Sequence, residues 1–306
     1  MPLTRREMIG LGAGAAAAVA VPWRVPLPQS VSPIKKTIPS TGEQLTPIGV
    51  GTNRYGVSAS SSTMTELRST LARFHALGGQ VIDTAEEYGR AEGNIGDLTH
   101  ALGINDELFI ATKIRMVGRE AGIRSVEQSF DRLQRERLDL VQVHDLTDYS
   151  THIRTLRDLK ADGRIRYIGI TASRHAYAAE MERLMNTGDV DFVQLSYTLD
   201  ERRAASRLLP LATDRGIAVI VNRPFGSGSL FRRIGEHPLP DWAADIDCTS
   251  WGQFVLKYII SHPAVTCAVA GTRRESHVVD NLGAAYGRLP DAELRARQER
   301  FFDDIA

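Results

Sequence analysis

Four side chains of complementary chemistry stand in the first half of this sequence: Asp83, Tyr88, Lys113 and His144. A phenol with an ordinary pKa of about 10 is a poor acid or base at neutral pH. An ammonium beside it favours the phenolate and lowers that pKa, and Lys113 is of the type to supply that charge. A carboxylate such as Asp83 can pair with the lysine and hold it in place. An imidazole such as His144 can donate a hydrogen bond to an oxygen and orient it. Singly, each has a plainer use: Asp83 as a cap, Lys113 in a structural ion pair, His144 as a core histidine, Tyr88 as packing. Joint placement favours chemistry, and placement depends on the elements that carry the four.

Short apolar, β-branched runs recur at residues 48–51, 81–84, 109–114, 138–144, 166–171, 192–196, 218–222 and 265–270. They are continuous rather than strictly alternating, as strands buried on both faces are. Between them lie stretches with helical spacing, such as Leu67, Leu71, Phe74 and Leu77. Eight alternating β and α units predict a closed (β/α)8 TIM barrel. Residues 36–38 and 44–46 flank Ser40-Thr41-Gly42-Glu43 and predict an N-terminal β-hairpin. Residues 290–306 predict a C-terminal extra helix over the barrel. The long gap between strands seven and eight, 223–263, opens as a loop suited to substrate or cofactor. In such barrels chemistry sits at the C-terminal strand ends. Here those ends read Thr52, Asp83, Lys113, His144, Thr171, Gln194, Asn222 and Gly271.

The chain has 306 residues, with 37 basic and 37 acidic side chains, 42% hydrophobic and 24% charged. That composition excludes intrinsic disorder, and the lack of a basic excess argues against a nucleic-acid partner. Two cysteines, Cys248 and Cys267, exclude a disulfide scaffold and a Cys-only zinc site. The histidines outside the set (His75, His100, His152, His175, His237, His262) lack metal-ligand spacing, so no metal is expected.

Thr4-Arg5-Arg6-Glu7-Met8 precedes an apolar run over 11–21 that ends in Ala18-Val19-Ala20-Val21. The run is too short to span a membrane and reads as a signal. It resembles the bacterial twin-arginine signal. That resemblance implies export by the twin-arginine machinery, a periplasmic location or a tether through an uncleaved signal, and membrane contact only through this segment. Residues 1–30 are thus expected to be signal and linker, and 31–306 one barrel domain.

Val81-Ile82-Asp83-Thr84-Ala85-Glu86-Glu87-Tyr88-Gly89 resembles the Asp-Thr-Ala-x-x-Tyr-Gly motif of aldo-keto reductases. Residues 110–113 (Ile-Ala-Thr-Lys) resemble that family's lysine strand, and 139–144 (Asp-Leu-Val-Gln-Val-His) its histidine strand. The resemblance runs on through Val193-Gln194, Pro224-Phe225-Gly226-Ser227-Gly228, and Gly271-Thr272-Arg273-Arg274 with Asp280-Asn281. It implies reduction of a small aldehyde or ketone to an alcohol, with Tyr88 as proton donor, Lys113 and Asp83 assisting, and His144 orienting the carbonyl. It also implies a nicotinamide dinucleotide held without a Gly-x-Gly-x-x-Gly loop, by Gly51, Thr52, Thr171, Gln194, Asn222, Arg223, Phe225, Ser227, Thr272, Arg273, Arg274, His277, Asp280 and Asn281. Gln194 matches the residue that bonds the carboxamide. Ala172 and Asn222 depart from the family's usual Asn and aromatic. The glycines and hydroxyls of 224–229 suit a pyrophosphate. Thr272, Arg273 and Arg274, before a helix N-terminus, suit the adenosine 2′-phosphate, which favours NADP(H) over NAD(H). Asn53, Tyr55, Phe231 and Trp242 are candidates for the substrate pocket. Two other readings stay open. One is a barrel enzyme with Lys113 as a Schiff-base nucleophile, which needs a lysine not neutralised by Asp83. The other is an NADP(H)-binding sensor with little turnover, like the potassium-channel beta subunits that resemble this family.

Overall fold

The computed structural model describes residues 32–56 and 61–305. The signal and linker read over 1–30 lie outside the described residues. A two-stranded antiparallel hairpin, β1 (Lys36–Thr37) and β2 (Gln44–Leu45), comes first. Then follow β3 (Ile48–Gly51), α1 (Ser61–Ala76), β4 (Val81–Asp83), α2 (Ala91–Ala101), β5 (Phe109–Ile114), α3 (Arg119–Leu133), β6 (Leu138–His144), α4 (Tyr149–Ala161) and β7 (Ile165–Thr171). The second half continues with α5 (Ala178–Met185), β8 (Phe192–Ser196), α6 (Leu208–Arg215), β9 (Ala218–Asn222), α7 (Ser229–Ile234), α8 (Trp251–Ile260), β10 (Val265–Gly271), α9 (Glu275–Gly283) and α10 (Ala292–Asp304).

Strands β3 to β10 close into one parallel barrel in sequence order, with β10 bonded to β3. The expected barrel, hairpin and C-terminal helix are all present. The segment after β9 is more ordered than the expected loop. It contains α7 and a 3-10 turn over Asp241–Ile246 before α8. Leu230, Ile234, Ala243 and Ile246 give this segment buried apolar anchors, which a solvated loop lacks.

Period-two alternation places the site. In β5, Phe109 and Ala111 belong to the interior apolar cluster, while Ile110 and Ile114 pack outward under the helices. Lys113 continues the inward row. In β6, Leu140 faces in and Val141 and Val143 face out, so Gln142 and His144 continue inward. The same alternation turns Asp83, Thr171, Gln194 and Asn222 toward the barrel axis. The lower interior is filled by Val81, Phe109, Leu140, Tyr167, Phe192 and Ile220, with Ile38 and Leu45 of the hairpin as a plug. Apolar packing below and polar side chains above leave the C-terminal mouth as the chemically open end.

Two helix starts are fixed by side-chain caps. Ser250 accepts from the Gln253 amide at 3.0 Å, opening α8. Asp291 accepts from the Leu294 amide at 2.9 Å, opening α10. Each satisfies an amide the helix itself leaves unpaired. Cys248 lies ahead of α8, and Cys267 is wholly buried in β10.

Candidate active site

Asp83 ends β4 and Lys113 lies one residue before the end of β5, with both nearly inaccessible to solvent. Lys113 Nζ donates to Asp83 Oδ1 and Oδ2, each at 2.8 Å, and to the Thr84 carbonyl at 2.6 Å. All three ammonium hydrogens are therefore used. Burial pushes the lysine pKa down, but the Asp83 carboxylate, with Tyr88 and Glu86, more than offsets this and holds it above its usual value. A lysine so charged is a poor amine nucleophile, which removes the physical basis of the Schiff-base reading.

A line of amides extends the pair inward. Gln194 Nε2 donates to Asp83 Oδ1 at 2.8 Å, and Thr171 Oγ1 donates to Gln194 Oε1 at 2.8 Å. Gln142 Nε2 reaches the same Asp83 oxygen at 3.5 Å, and Gln142 Oε1 has no partner. Thr52 Oγ1 donates to the Asp83 carbonyl at 2.9 Å, tying β3 to β4 at this point.

The Tyr88 ring lies beside the pair, with Lys113 Nζ 5.3 Å from its centroid. His144 meets Tyr88 edge-on, with ring centroids 6.4 Å apart. All four side chains are thus gathered at the mouth. The electrostatics of the phenol differ from the sequence expectation. Burial raises the Tyr88 pKa above its ordinary value and outweighs the lowering by Lys113, because Asp83 and Glu87 add to the rise. Lys113 is the strongest of the lowering influences, but Asp83 beside it takes back part of that effect, so burial prevails. Tyr88 therefore remains protonated at neutral pH, the form a proton donor needs. Burial and Lys113 also lower the His144 pKa, against Glu87 and Asp145, with Arg115 adding to the lowering. His144 is neutral at physiological pH.

The loop carrying Tyr88 is fixed by a backbone crossing. A Cβ at Gly56 would lie 1.5 Å from the Tyr88 carbonyl oxygen, so only glycine fits there. Gly89, at φ +64, takes the left-handed turn on the other side of the crossing. Asn94 Nδ2 donates to the Tyr55 carbonyl at 2.7 Å and anchors the crossing to α2.

The remaining expected site residues fall into several places. Gly51 and Gly271 are paired at the tops of β3 and β10. Asn53 is exposed, with Oδ1 close to Gly271. Asn222 accepts from Ser196 Oγ at 2.9 Å. Arg223, Gly226, Ser227 and Gly228 all have positive φ, and Ser227 is exposed. The Gly226 and Gly228 amides donate to the Arg223 and Phe225 carbonyls, each at 2.8 Å, and shape a tight turn around Ser227. Phe225 packs against Phe231 at 5.0 Å, and Phe231 is an exposed aromatic. Thr272 Oγ1 accepts from the Arg274 amide at 3.1 Å just before α9, where His277 is exposed. Arg223, Arg273 and Arg274 have no ion-pair partner among the described residues. Asp280 is taken up by Ser250 and Gln253 of the α8 start, at 2.9 and 3.0 Å, and Asn281 is buried beside it. Tyr55 is wholly buried with an unpartnered hydroxyl. Trp242 packs on Phe254 and on Phe301 of α10, with Arg297 over its ring. No hydrogen bond or ring contact joins Trp242 to the four central residues among the described residues.

Sequence reasoning did not single out Gln142, Gly56, Glu86, Glu87 or Arg115. Gln142 was signalled by its position two residues before His144 on the same strand, hence on the same face. Glu86 is buried, accepts from the Arg115 amide at 2.8 Å through one oxygen and leaves the other unpartnered. Burial raises its pKa to about 7. Nothing in the sequence marks Gly56, because its role depends on a contact 32 residues away.

A closed parallel barrel with a buried lysine–carboxylate pair, a phenol and an imidazole at its C-terminal mouth defines an acid–base enzyme class built on a (β/α)8 scaffold. The aldo/keto reductase family profile matches residues 47–299, and the chain belongs to that family. It is 24% identical over 312 residues to the uncharacterized oxidoreductase YqkF of Bacillus subtilis, covering 89% of this chain and 97% of that one. It is 26% identical to the aldo-keto reductase YhdN of the same organism, covering 65% of this chain and 64% of that protein. Among solved structures, an aldo-keto reductase from Klebsiella pneumoniae in complex with NADPH superposes with a TM-score of 0.75 at 24% identity, covering 88% of this chain and 95% of that one.

Proposed function

We propose that this chain is an NADP(H)-dependent oxidoreductase that reduces a small aldehyde or ketone to an alcohol. The observation that carries the reading is the buried Lys113–Asp83 pair beside a protonated Tyr88 at the barrel mouth. Reduction needs a proton on the substrate oxygen, and Tyr88 is the neutral acid placed to give it. As the phenolate forms, the nearby Lys113 ammonium stabilises it, and Asp83 keeps that ammonium fixed through two bonds. His144 is the second polar group facing the substrate.

The dinucleotide, when bound, supplies the hydride. Residues suited to hold it are present. Gln194 retains one amide hydrogen and one lone pair beyond its bonds to Asp83 and Thr171, enough for a carboxamide. The exposed Ser227, in a tight glycine-flanked turn next to the unpaired Arg223, suits a pyrophosphate. Arg273 and Arg274, unpaired before α9, suit a further phosphate, which favours NADP(H). The Klebsiella neighbour was solved with NADPH bound. Titration of the purified chain with NADPH and NADH, followed by tryptophan quenching, tests the preference for NADP(H). Tighter binding of NADPH, weakened by Arg273→Ala with Arg274→Ala, is the expected result. Equal affinity in both proteins would contradict it.

Export is a further part of the proposal, supported by Arg5-Arg6 and the apolar run that follows. Expression of the full chain in a bacterium, with and without Arg5→Lys and Arg6→Lys, tests it. Export that is unaffected by the double substitution would count against the twin-arginine reading.

A further inference from the structure

The short segment between Asp83 and Tyr88 sets where the phenol stands. The backbone ladder of β4 against β5 ends where Asp83 pairs with Ala111. The Thr84 amide adds one last bond, to the Ala111 carbonyl at 2.8 Å. Beyond that point side chains carry the joint between the two segments. Lys113 Nζ donates to the Thr84 carbonyl at 2.6 Å, and the Arg115 amide donates to Glu86 Oε1 at 2.8 Å. Arg115 lies just past the end of β5, so the Glu86 carboxyl stands in for the next carbonyl of the ladder. Tyr88 follows two residues on, its amide bonded to the Ala85 carbonyl at 3.1 Å. Glu86 is therefore inside the turn that presents the phenol.

Glu86 makes this joint from a buried place that no cation shares. Its other oxygen is sealed from solvent and unpartnered. The cations around it are committed elsewhere. Lys113 is held by Asp83 and the Thr84 carbonyl. The Arg115 guanidinium pairs with Glu87 and Asp145. Arg132 of α3 pairs with Glu92 of α2, whose other oxygen accepts from Thr112 at 2.6 Å. A carboxylate buried with so few donors is costly, and a neutral carboxyl is far less so. Burial raises the Glu86 pKa to about 7, against the lowering by the Arg115 and Glu86 amides, and Glu92 and Glu87 add to the rise. Tyr88 is held above its usual value and His144 below its own. Neither of those two changes charge as the pH crosses 7.

We infer that Glu86 is a positioning residue that works in its neutral form, holding the Tyr88 turn to the end of β5 through the Arg115 amide and releasing it when the carboxyl loses its proton. The carboxylate turns toward water, and the turn that carries the phenol loosens. Reduction then slows because the proton donor is misplaced, while the donor itself keeps its proton. This rests on the carbonyl-reduction reading above and adds a control to it: the site is set below pH 7 and slackens above.

The test compares the full chain with Glu86→Gln and Glu86→Ala. Glutamine keeps an oxygen that can accept and carries no charge, and alanine keeps neither. Hydrogen exchange at the Arg115 amide, followed by NMR and divided by the rate of an unstructured chain at the same pH, reads the joint without any turnover. Wild type should protect that amide at pH 6 and lose protection by about tenfold at pH 8, as the neutral fraction falls. Glu86→Gln should protect it equally at both, and Glu86→Ala at neither. In the reduction of propanal by NADPH, wild-type kcat should fall by about tenfold over the same range. Glu86→Gln should show no such fall, and Glu86→Ala should be slow at both pH values. KM for NADPH should change little in any of them. A fall in protection or kcat that Glu86→Gln shares with wild type would overturn the proposal. So would an Arg115 amide as protected in Glu86→Ala as in wild type. If the alanine protein does not fold, the glutamine comparison decides alone. If wild type reduced no carbonyl at either pH, the functional reading would fail by itself, and the Arg115 amide would still decide the role of Glu86.

Discussion

Both ends of the barrel carry charged groups, and they use them differently. At the N-terminal end, Arg166 bonds Asp139 at 2.7 Å and also pairs with Glu43 of the hairpin turn. Tyr167 donates to Glu43 at 2.7 Å, and Thr41 meets the Tyr167 hydroxyl at 2.8 Å. Arg135 adds a second cation to Asp139 at 3.2 Å. Thr41, Gly42, Glu43, Arg166 and Tyr167 line a shallow open depression there. Its polar groups are paired with one another, so it is a closed ionic seam under the hairpin. At the mouth, Thr84 Oγ1, Glu86 Oε2, Gln142 Oε1 and His144 Nδ1 are buried without a hydrogen-bond partner. Leaving such groups open costs stability. The seam under the hairpin closes its charges on one another, whereas several buried polar atoms at the mouth are left open, which marks the mouth as the ligand end.

The contrast can be broken by making the same kind of change at both ends. Lys113→Met leaves Asp83 buried beside amides only. It is expected to destabilise by about 3–5 kcal/mol and to lower reduction at least a hundredfold. Arg166→Met leaves Asp139 still paired with Arg135. It should cost about 1–3 kcal/mol with kcat unchanged. Denaturant unfolding and steady-state kinetics on both variants check this. A large loss of kcat in Arg166→Met would erase the distinction.

Glu86 sharpens it through pH. The folded chain holds its pKa at about 7, above the ordinary 4.5. The folded state therefore binds this proton more tightly than the unfolded state. The stability linked to it is fully present below pH 4.5 and is lost as pH rises to about 7. Glu86→Gln should match wild type near pH 4 and become more stable through that window, by on the order of 3 kcal/mol above it. Parallel stability curves for the two proteins would show that Glu86 is not a strained group.

Gly56→Ala probes the crossing that holds Tyr88. Its methyl group cannot coexist with the Tyr88 carbonyl. The loop must shift, and kcat should fall roughly ten- to a hundredfold, with a smaller effect on NADPH affinity. Outside the barrel strands, Arg288 bonds hold the Asp247 carboxyl at a pKa of about 2, below the usual 3.8. Both side chains are well exposed. Asp247→Asn should cost less than about 1 kcal/mol. That contribution is present above pH 4 and is lost as pH falls toward 2. Thermal melts at pH 7 and pH 2 check the sign.

The barrel was legible because its strands are continuous apolar runs whose inward positions follow a period of two. Once β5 and β6 are placed, Lys113 and His144 must point to the axis, and Asp83 follows from β4. The acid Tyr88 was legible from its motif, but its raised pKa was not. That depends first on how deeply the phenol is buried and then on how far Asp83 offsets Lys113, a matter of ångströms. The 3.2 Å approach of Glu87 to His144 and the Gly56 crossing depend on segments meeting across the mouth, and no local pattern records such meetings. The segment after β9 reads as loop-like because Gly and Pro punctuate it, and α7 is only six residues long, with Leu230 and Ile234 as its single i, i+4 pair.

The most direct test of the account is the consumption of NADPH by wild type and Tyr88→Phe, side by side, on a panel of small aldehydes. Wild type should oxidise NADPH. The variant should bind NADPH with similar affinity and lose turnover by a factor of roughly 100 or more. Equal turnover in the two proteins would contradict the assignment of Tyr88 as the proton donor and of the mouth as the place where this chain does its chemistry.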